Sequence, residues 1–242
     1  MPPITPEQRQ HIRDLFEKFL KGRTDALRKL TISDLNINPF LVRLLSEDMG
    51  LANPRAIVEW MVRERFERGA VTSFGNALEN AAKTFSEGTG VEGADIAKTK
   101  HIGHRTQRYY LQVKSGPNTV PKDLAKPTSD LLEAVQKLNR GSVALFGMCY
   151  GNKDQVSSIV QRYVKVDRLI GREFWEFISD DPTCIDEIYK IAAEASAAVQ
   201  DKRGEKLAHL LERKIDELTV EFQGLYGSGG DPMWDRILGL NS

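Results

Sequence analysis

Ser142 to Tyr150, reading Ser-Val-Ala-Leu-Phe-Gly-Met-Cys-Tyr, is a nearly continuous apolar run. It is far too short to span a bilayer. Bounded by turn residues, such a run reads as a strand buried on both faces. Immediately before it, Ser129 to Asn139 places Leu131, Leu132, Val135 and Leu138 at helical spacing, and Arg140-Gly141 stops that helix. Earlier still, Arg108 to Lys114 reads as a strand closed by the turn Ser115-Gly116-Pro117-Asn118. A strand, a crossover helix and a buried strand make a βαβ unit, right-handed if the strands are parallel.

The Arg108 to Lys114 strand is unusual in what it presents. Side chains alternate along a strand, so Tyr109, Leu111 and Val113 share one face and Tyr110, Gln112 and Lys114 the other. Asp95 falls on a short preceding strand, separated by a polar, Gly-containing turn, His101 to Gln107. A connection of that length suits a hairpin and sets Asp95 beside Gln112 and Lys114. An acid, an amide oxygen and a lysine converging at one end of a sheet outline a metal-and-phosphate site. His101 and His104 lack a third ligand nearby and are expected to be solvated.

The first 70 residues read as helices. Thr5-Pro6, Asn38-Pro39 and Asn53-Pro54 each place a cap before a proline at the first helical position. The third of these helices is expected over Arg55 to Arg68, ending at Gly69, and a fourth, capped by Thr72-Ser73, to about Ser86. Ile159 to Val166 is expected as one more strand, and Gly171 to Ile178 as a short aromatic helix. Two helices follow, Thr183 to Gln200 and Glu205 to Phe222. The Gly227 to Gly230 tail is expected to be flexible, with Trp234, Ile237 and Leu238 docking after it. This divides the chain into a helical region (1–70), a core (71–180) and a C-terminal helical region (181–242) that is a candidate dimer interface.

Lysines and arginines balance aspartates and glutamates, giving zero formal net charge, so bulk charge cannot hold a polyanion. Local charge can. Between Lys98 and Lys126 stand seven cations (Lys98, Lys100, Arg105, Arg108, Lys114, Lys122, Lys126) against Asp123 alone. The two cysteines, Cys149 and Cys184, are far apart and read as buried free thiols. The opening residues lead into a charged helix and not an apolar signal core, which implies a soluble, cytoplasmic protein.

The order helix, hairpin, helix, strand, with an acid on one hairpin strand and a lysine on the next, resembles the PD-(D/E)XK nuclease superfamily. The phrase Lys114-Ser115-Gly116-Pro117-Asn118 resembles a subgroup of type II restriction endonucleases. Four further phrases stand in the order found in that subgroup: Asn38-Pro39-Phe40-Leu41, Thr72-Ser73-Phe74-Gly75, Gly147-Met148-Cys149-Tyr150-Gly151 and Phe174-Trp175-Glu176-Phe177-Ile178-Ser179. The likeness runs from about residue 38 to 180. It implies an α/β fold, a mixed central sheet flanked by helices, with helical extensions at both ends.

The resemblance further implies Mg²⁺-dependent hydrolysis of phosphodiester bonds in double-stranded DNA. The protein would act as a homodimer on a palindromic, G·C-rich target of the GGNCC sort, beside a cognate DNA methyltransferase. Asp95 would be the first metal ligand and Lys114 the residue that orients or activates the attacking water. Gln112 departs from the pattern, which has Glu or Asp two residues before the lysine. Its amide oxygen can coordinate a cation but brings no charge. Glu79 is the candidate to supply the missing carboxylate, on a helix that Gly75 lets approach the sheet. DNA contacts are expected from Lys98, Lys100, Arg105, Arg108, Ser115, Lys122 and Lys126, and base contacts from Asn118, Asn152, Lys153, Gln155 and Arg162. The rival readings are a repair or junction nuclease on the same core, and a DNA-binding protein whose nuclease site has decayed.

Overall fold

A computed structural model describes residues 4–88, 91–199 and 206–242 of the chain. It divides into two compact units, one of Met1–Glu17 and Ser73–Ala197, the other of Lys18–Thr72 and Ala198–Ser242.

The first unit is built on a mixed four-stranded sheet in the order β1-β2-β3-β4. The strands are β1 (Ile96–Ile102), β2 (Arg105–Lys114), β3 (Val143–Met148) and β4 (Asp167–Ile170). β1 and β2 are antiparallel, whereas β2, β3 and β4 run parallel. The helix between β2 and β3 is α4 (Lys122–Leu138), after α1 (Pro6–Lys29), α2 (Pro39–Leu45) and α3 (Pro54–Lys83). The expected βαβ unit is therefore β2-α4-β3, and β3 is buried along nearly its whole length. A parallel neighbour on each side explains why its sequence does not alternate.

On β2, Leu111 and Val113 are fully buried while Gln112 and Lys114 are half-buried, as the alternation requires. Below the Gln112 face, Phe146, Met148 and Ala144 of β3 pack with Ala125 and Leu132 of α4. Each such large side chain contributes roughly 1.5–3 kcal/mol by leaving water. On the other face Gly147 lies under Phe174, so closely that a Cβ there would stand 2.5 Å from the ring. Phe174 belongs to α6 (Arg172–Ser179), the expected aromatic helix.

Several expected boundaries change. The hairpin turns within Gly103-His104, with Gly103 at φ 60, and not across His101 to Gln107, which pair in the ladder. A two-residue turn with a left-handed glycine matches strand twist. The helix expected to end at Gly69 continues as α3 to Lys83, because one glycine costs only about 1 kcal/mol inside an otherwise apolar-striped helix. α4 (Lys122–Leu138) runs through Pro127 and starts well before Ser129. The expected strand at Ile159 to Val166 is helix α5 (Ser158–Tyr163), capped by Ser157, whose hydroxyl accepts the Val160 amide at 3.3 Å. Val160 and Val164 are four apart and both buried, a helical spacing that a short valine-rich run disguises as β. The strand follows, as β4.

The second unit contains α2, most of α3, α8 (Leu207–Tyr226) and α9 (Gly230–Leu240). α7 (Cys184–Ala198) belongs to the first unit. Asn38 and Asn53 cap α2 and α3 as expected, accepting the Leu41 and Ala56 amides at 3.0 Å each. Ile57, Val58, Met61 and Val62 pack with Leu218 and Phe222. The tail after Gly229 is helical, with Met233 and Ile237 buried. The expected helix ends at Gln200 and Glu205 lie outside the described residues.

Candidate active site

All four candidate catalytic residues lie in the sheet-containing unit. Gln112 and Lys114 come from the last turn of the β2 pleat. Asp95 stands one residue before β1, not within it, since the ladder begins at the Ile96–Leu111 pair. It is nevertheless fastened to β2 twice: its amide donates to the Leu111 carbonyl at 2.8 Å, and its Oδ2 accepts the Val113 amide at 2.9 Å. The carboxylate thus lies beside Gln112.

Glu79 reaches the same place from α3. Gly75, one turn earlier, lies so close to the end of β2 that a Cβ would stand 2.9 Å from Ser115 Oγ and 3.3 Å from Ser115 Cβ. That close approach lets Glu79 Oε1 accept the Ser115 amide at 2.9 Å. Burial pushes the Glu79 carboxyl above its ordinary value, and the Asp95 charge adds to this. The Lys114 ammonium, the Ser115 amide and the Lys83 ammonium oppose the shift without cancelling it. Asp95, Lys114 and Lys83 therefore all act electrostatically on Glu79.

Lys83 is the residue that sequence reasoning missed. Its Nζ stands 3.0 Å from Asp95 Oδ1. Its spacing of four residues from Glu79 puts both on one helix face, and that signal was available in the sequence.

The amide oxygen of Gln112 is buried and has no hydrogen-bond partner. An orphaned buried acceptor costs about 1–3 kcal/mol, and such groups in native structures call for a reason. Among the described residues no three His, Cys, Asp or Glu side chains come together. The oxygens here belong to two carboxylates and one amide. Hard oxygen donors with few carboxylates suit Mg²⁺, which keeps several of its waters, and the unsatisfied Gln112 oxygen is the kind of donor that such an ion would fill.

A family model described as Type II restriction endonuclease EcoO109I matches residues 7–198. The chain belongs to this family. The match covers Glu79, Asp95, Gln112 and Lys114 and reaches further in both directions than the phrases between 38 and 180. No curated protein matches the chain. As a restriction endonuclease of this family it carries a nuclease fold whose sheet and flanking helices present the four residues at one end of β2.

The expected DNA-contacting residues separate into groups. Lys98 and Lys100 lie on the Tyr109 face of the hairpin, opposite to Gln112, and do not join the site. Both pair with Asp180 at the end of α6, Lys98 at 2.9 Å. Burial opposes it, but Lys100 and Lys98 together hold the Asp180 carboxyl below its ordinary value. Lys100 also stands over the Phe177 ring, 4.6 Å from its centroid. Arg108 is on the site's face but pairs with Glu87 at 2.9 Å, and Lys126 pairs with Asp130 at 2.8 Å. Ser115 is buried and spends its amide on Glu79. Arg105, Asn118, Lys122, Lys153 and Arg162 are exposed. Asn152 Oδ1 accepts the Asp154 and Gln155 amides, and Gln155 Oε1 accepts the Asn152 amide in return, so those two side chains shape the loop that carries Lys153.

Proposed function

We propose that this restriction endonuclease cuts double-stranded DNA by Mg²⁺-dependent hydrolysis at a specific site, with Asp95, Glu79 and Gln112 as the metal-holding residues and Lys114 as the catalytic cation. The observation that carries this reading is the unpartnered, buried oxygen of Gln112, two residues before Lys114 on the strand end whose Val113 and Ser115 amides hold the Asp95 and Glu79 carboxylates. When bound, the ion would polarise a phosphoryl oxygen and lower the pKa of a water.

The chain's own residues supply the rest. The Val113 and Ser115 amides fix the Asp95 and Glu79 carboxylates, so that little reorganisation is needed at the moment of reaction. Lys114 orients the attacking water and offsets charge gathering on the phosphate. Arg105, Asn118, Lys122, Lys153 and Arg162 are the exposed groups assigned to the DNA backbone and base edges. Lys98, Lys100 and Arg108, already neutralised by acids, add less. The protein acts in the cytoplasm as a homodimer, its two-fold symmetry matching a palindromic, G·C-rich target of the GGNCC sort, with a cognate methyltransferase protecting the host genome. No described helix is long and apolar enough to cross a membrane.

The test is incubation of plasmid and mixed linear duplex DNA with the protein and Mg²⁺, followed by sequencing of the ends. Discrete bands with a common end sequence are expected, and Asp95→Ala should abolish them. Scattered ends would point to a repair or junction nuclease. One feature favours a second reading, a DNA-binding protein with a decayed site: the amide at 112 where a carboxylate is usual. Absence of cleavage with any divalent metal, together with retained DNA binding, would decide for it.

A further inference from the structure

We propose that Lys83 is a gate on the metal site, a built-in cation that occupies Asp95 until a divalent ion or a DNA phosphate draws the two apart. This rests on the metal-site reading above and adds a residue that the reading does not use.

Asp95 has two carboxylate oxygens. Oδ2 accepts the Val113 amide at 2.9 Å, which ties it to the strand. Oδ1 is the oxygen not tied to the strand, and Lys83 Nζ stands 3.0 Å from it. An ammonium has three donors and no acceptor, so it cannot serve as a ligand. Its charge at this distance also repels a dication strongly. While Lys83 stays in place, its charge weakens the hold of Asp95 on a dication and its N–H takes up one acceptor site of Oδ1.

The pair is built to open from the lysine side. Asp95 is fastened through its backbone and its side chain to β2. Lys83 is the last residue of α3, and its side chain is 38% exposed against 26% for Asp95. A flexible four-carbon stem can swing that ammonium into solvent. The last turn of a helix favours a cation, which accounts for a lysine at this position but not for its reach to Asp95. Once released, the ammonium is free to meet a phosphate, so DNA and metal would each favour the open arrangement. Their binding is then coupled, and the coupling is reciprocal.

Calorimetric titration of Mn²⁺ alone into the full-length protein tests this without any need for cleavage. Lys83→Met should bind Mn²⁺ about tenfold more tightly than the wild type, within the usual range of coupling between sites. Lys83→Arg, which keeps the charge, should stay near the wild type. Asp95→Asn should lose binding, and thermal melts of each variant should confirm that it is folded. Unchanged or weaker binding in Lys83→Met, with binding lost in Asp95→Asn, overturns the gate and leaves the metal site standing. A gain in Lys83→Arg equal to that in Lys83→Met also overturns it, because charge would not be the cause. Wild-type binding in Asp95→Asn overturns the metal-site reading itself, and the gate with it.

Discussion

Glu79 Oε1 accepts the backbone amide of Ser115 at 2.9 Å, just past the end of β2 at Lys114. This bond joins a helix to the end of a strand at the point where the chemistry would occur. It also makes the position of one carboxylate depend on how closely α3 approaches β2.

That dependence can be tested at Gly75. A methyl group there would meet Ser115 Oγ at 2.9 Å and Ser115 Cβ at 3.3 Å, so Gly75→Ala should push the helix from the strand by a few tenths of an ångström or more. Overpacking of this kind costs about 1–3 kcal/mol, but the greater effect should fall on function, because small misplacements of positioned groups cost rate steeply. Cleavage should drop by about 10²-fold at a Tm only a few degrees lower. Activity falling only in proportion to the folded fraction would show that the close approach serves packing alone.

Lys114→Ala should lower the cleavage rate by about 10²-fold or more, as losses of positioned acid–base or electrostatic groups do. Binding of Mn²⁺ should weaken little or even improve, since Lys114 is a cation acting on Glu79. Parallel losses of DNA affinity and rate would instead make the residue a phosphate anchor.

The pH dependence follows from Glu79. Burial and the Asp95 charge raise its folded pKa above the ordinary value of 4.5. Between the unfolded and folded pKa values the native state binds more protons than the unfolded state, so this group's contribution falls as pH rises through that window. It is fully present below the window and lost above it. Glu79→Gln removes the effect, so the Tm of the variant minus that of the wild type should grow as pH is raised from about 4.5. Protons also compete with Mg²⁺ for the carboxylate, and the metal concentration needed for cleavage should climb as pH falls toward the raised pKa. Melting curves of the two proteins that stay parallel across this range would mean that Glu79 titrates alike in both states.

Much of this was legible before the structure. The alternation at Tyr109 to Lys114 and the unbroken run at Val143 to Met148 fixed the β2-α4-β3 unit, because period and burial are written directly in those residues. Glu79 and Gly75 were reachable through the family resemblance. One boundary was misplaced because a single residue was read as a stop signal. Gly69 sits inside α3, where packing of a long apolar stripe outweighs a local penalty. The cation stretch misled for a different reason. Sequence gives the charges on Lys98 and Lys100 but not the strand face that carries them, nor that Asp180, some eighty residues on, would take both. The spacing from Glu79 put Lys83 on the right helix face, but its pairing with Asp95 joins a helix end to a strand start and has no periodic signature.

The last prediction concerns Gln112 and Glu79 together. If the three oxygens of Asp95, Glu79 and Gln112 share one ion, Glu79 supplies the charge that the amide at 112 lacks. Glu79→Gln then leaves Asp95 as the sole carboxylate among them, and a strongly hydrated Mg²⁺ would be held poorly. The Mg²⁺ requirement for cleavage should rise sharply. Gln112→Glu has a mixed expectation in an unliganded protein, because it places a third carboxylate where the Gln112 oxygen is now buried without a partner. Its stability should fall without metal and recover with it, by linkage of binding to folding. In the double variant, Gln112→Glu should restore much of the metal affinity that Glu79→Gln removes, so the two effects should be non-additive, as for neighbours sharing one ion. Mn²⁺ and Mg²⁺ titrations of cleavage, with melting curves at each metal concentration, measure all three terms. Strict additivity, or a wild-type metal requirement in Glu79→Gln, would separate Glu79 from the ion and leave its bond to Ser115 as a structural tether.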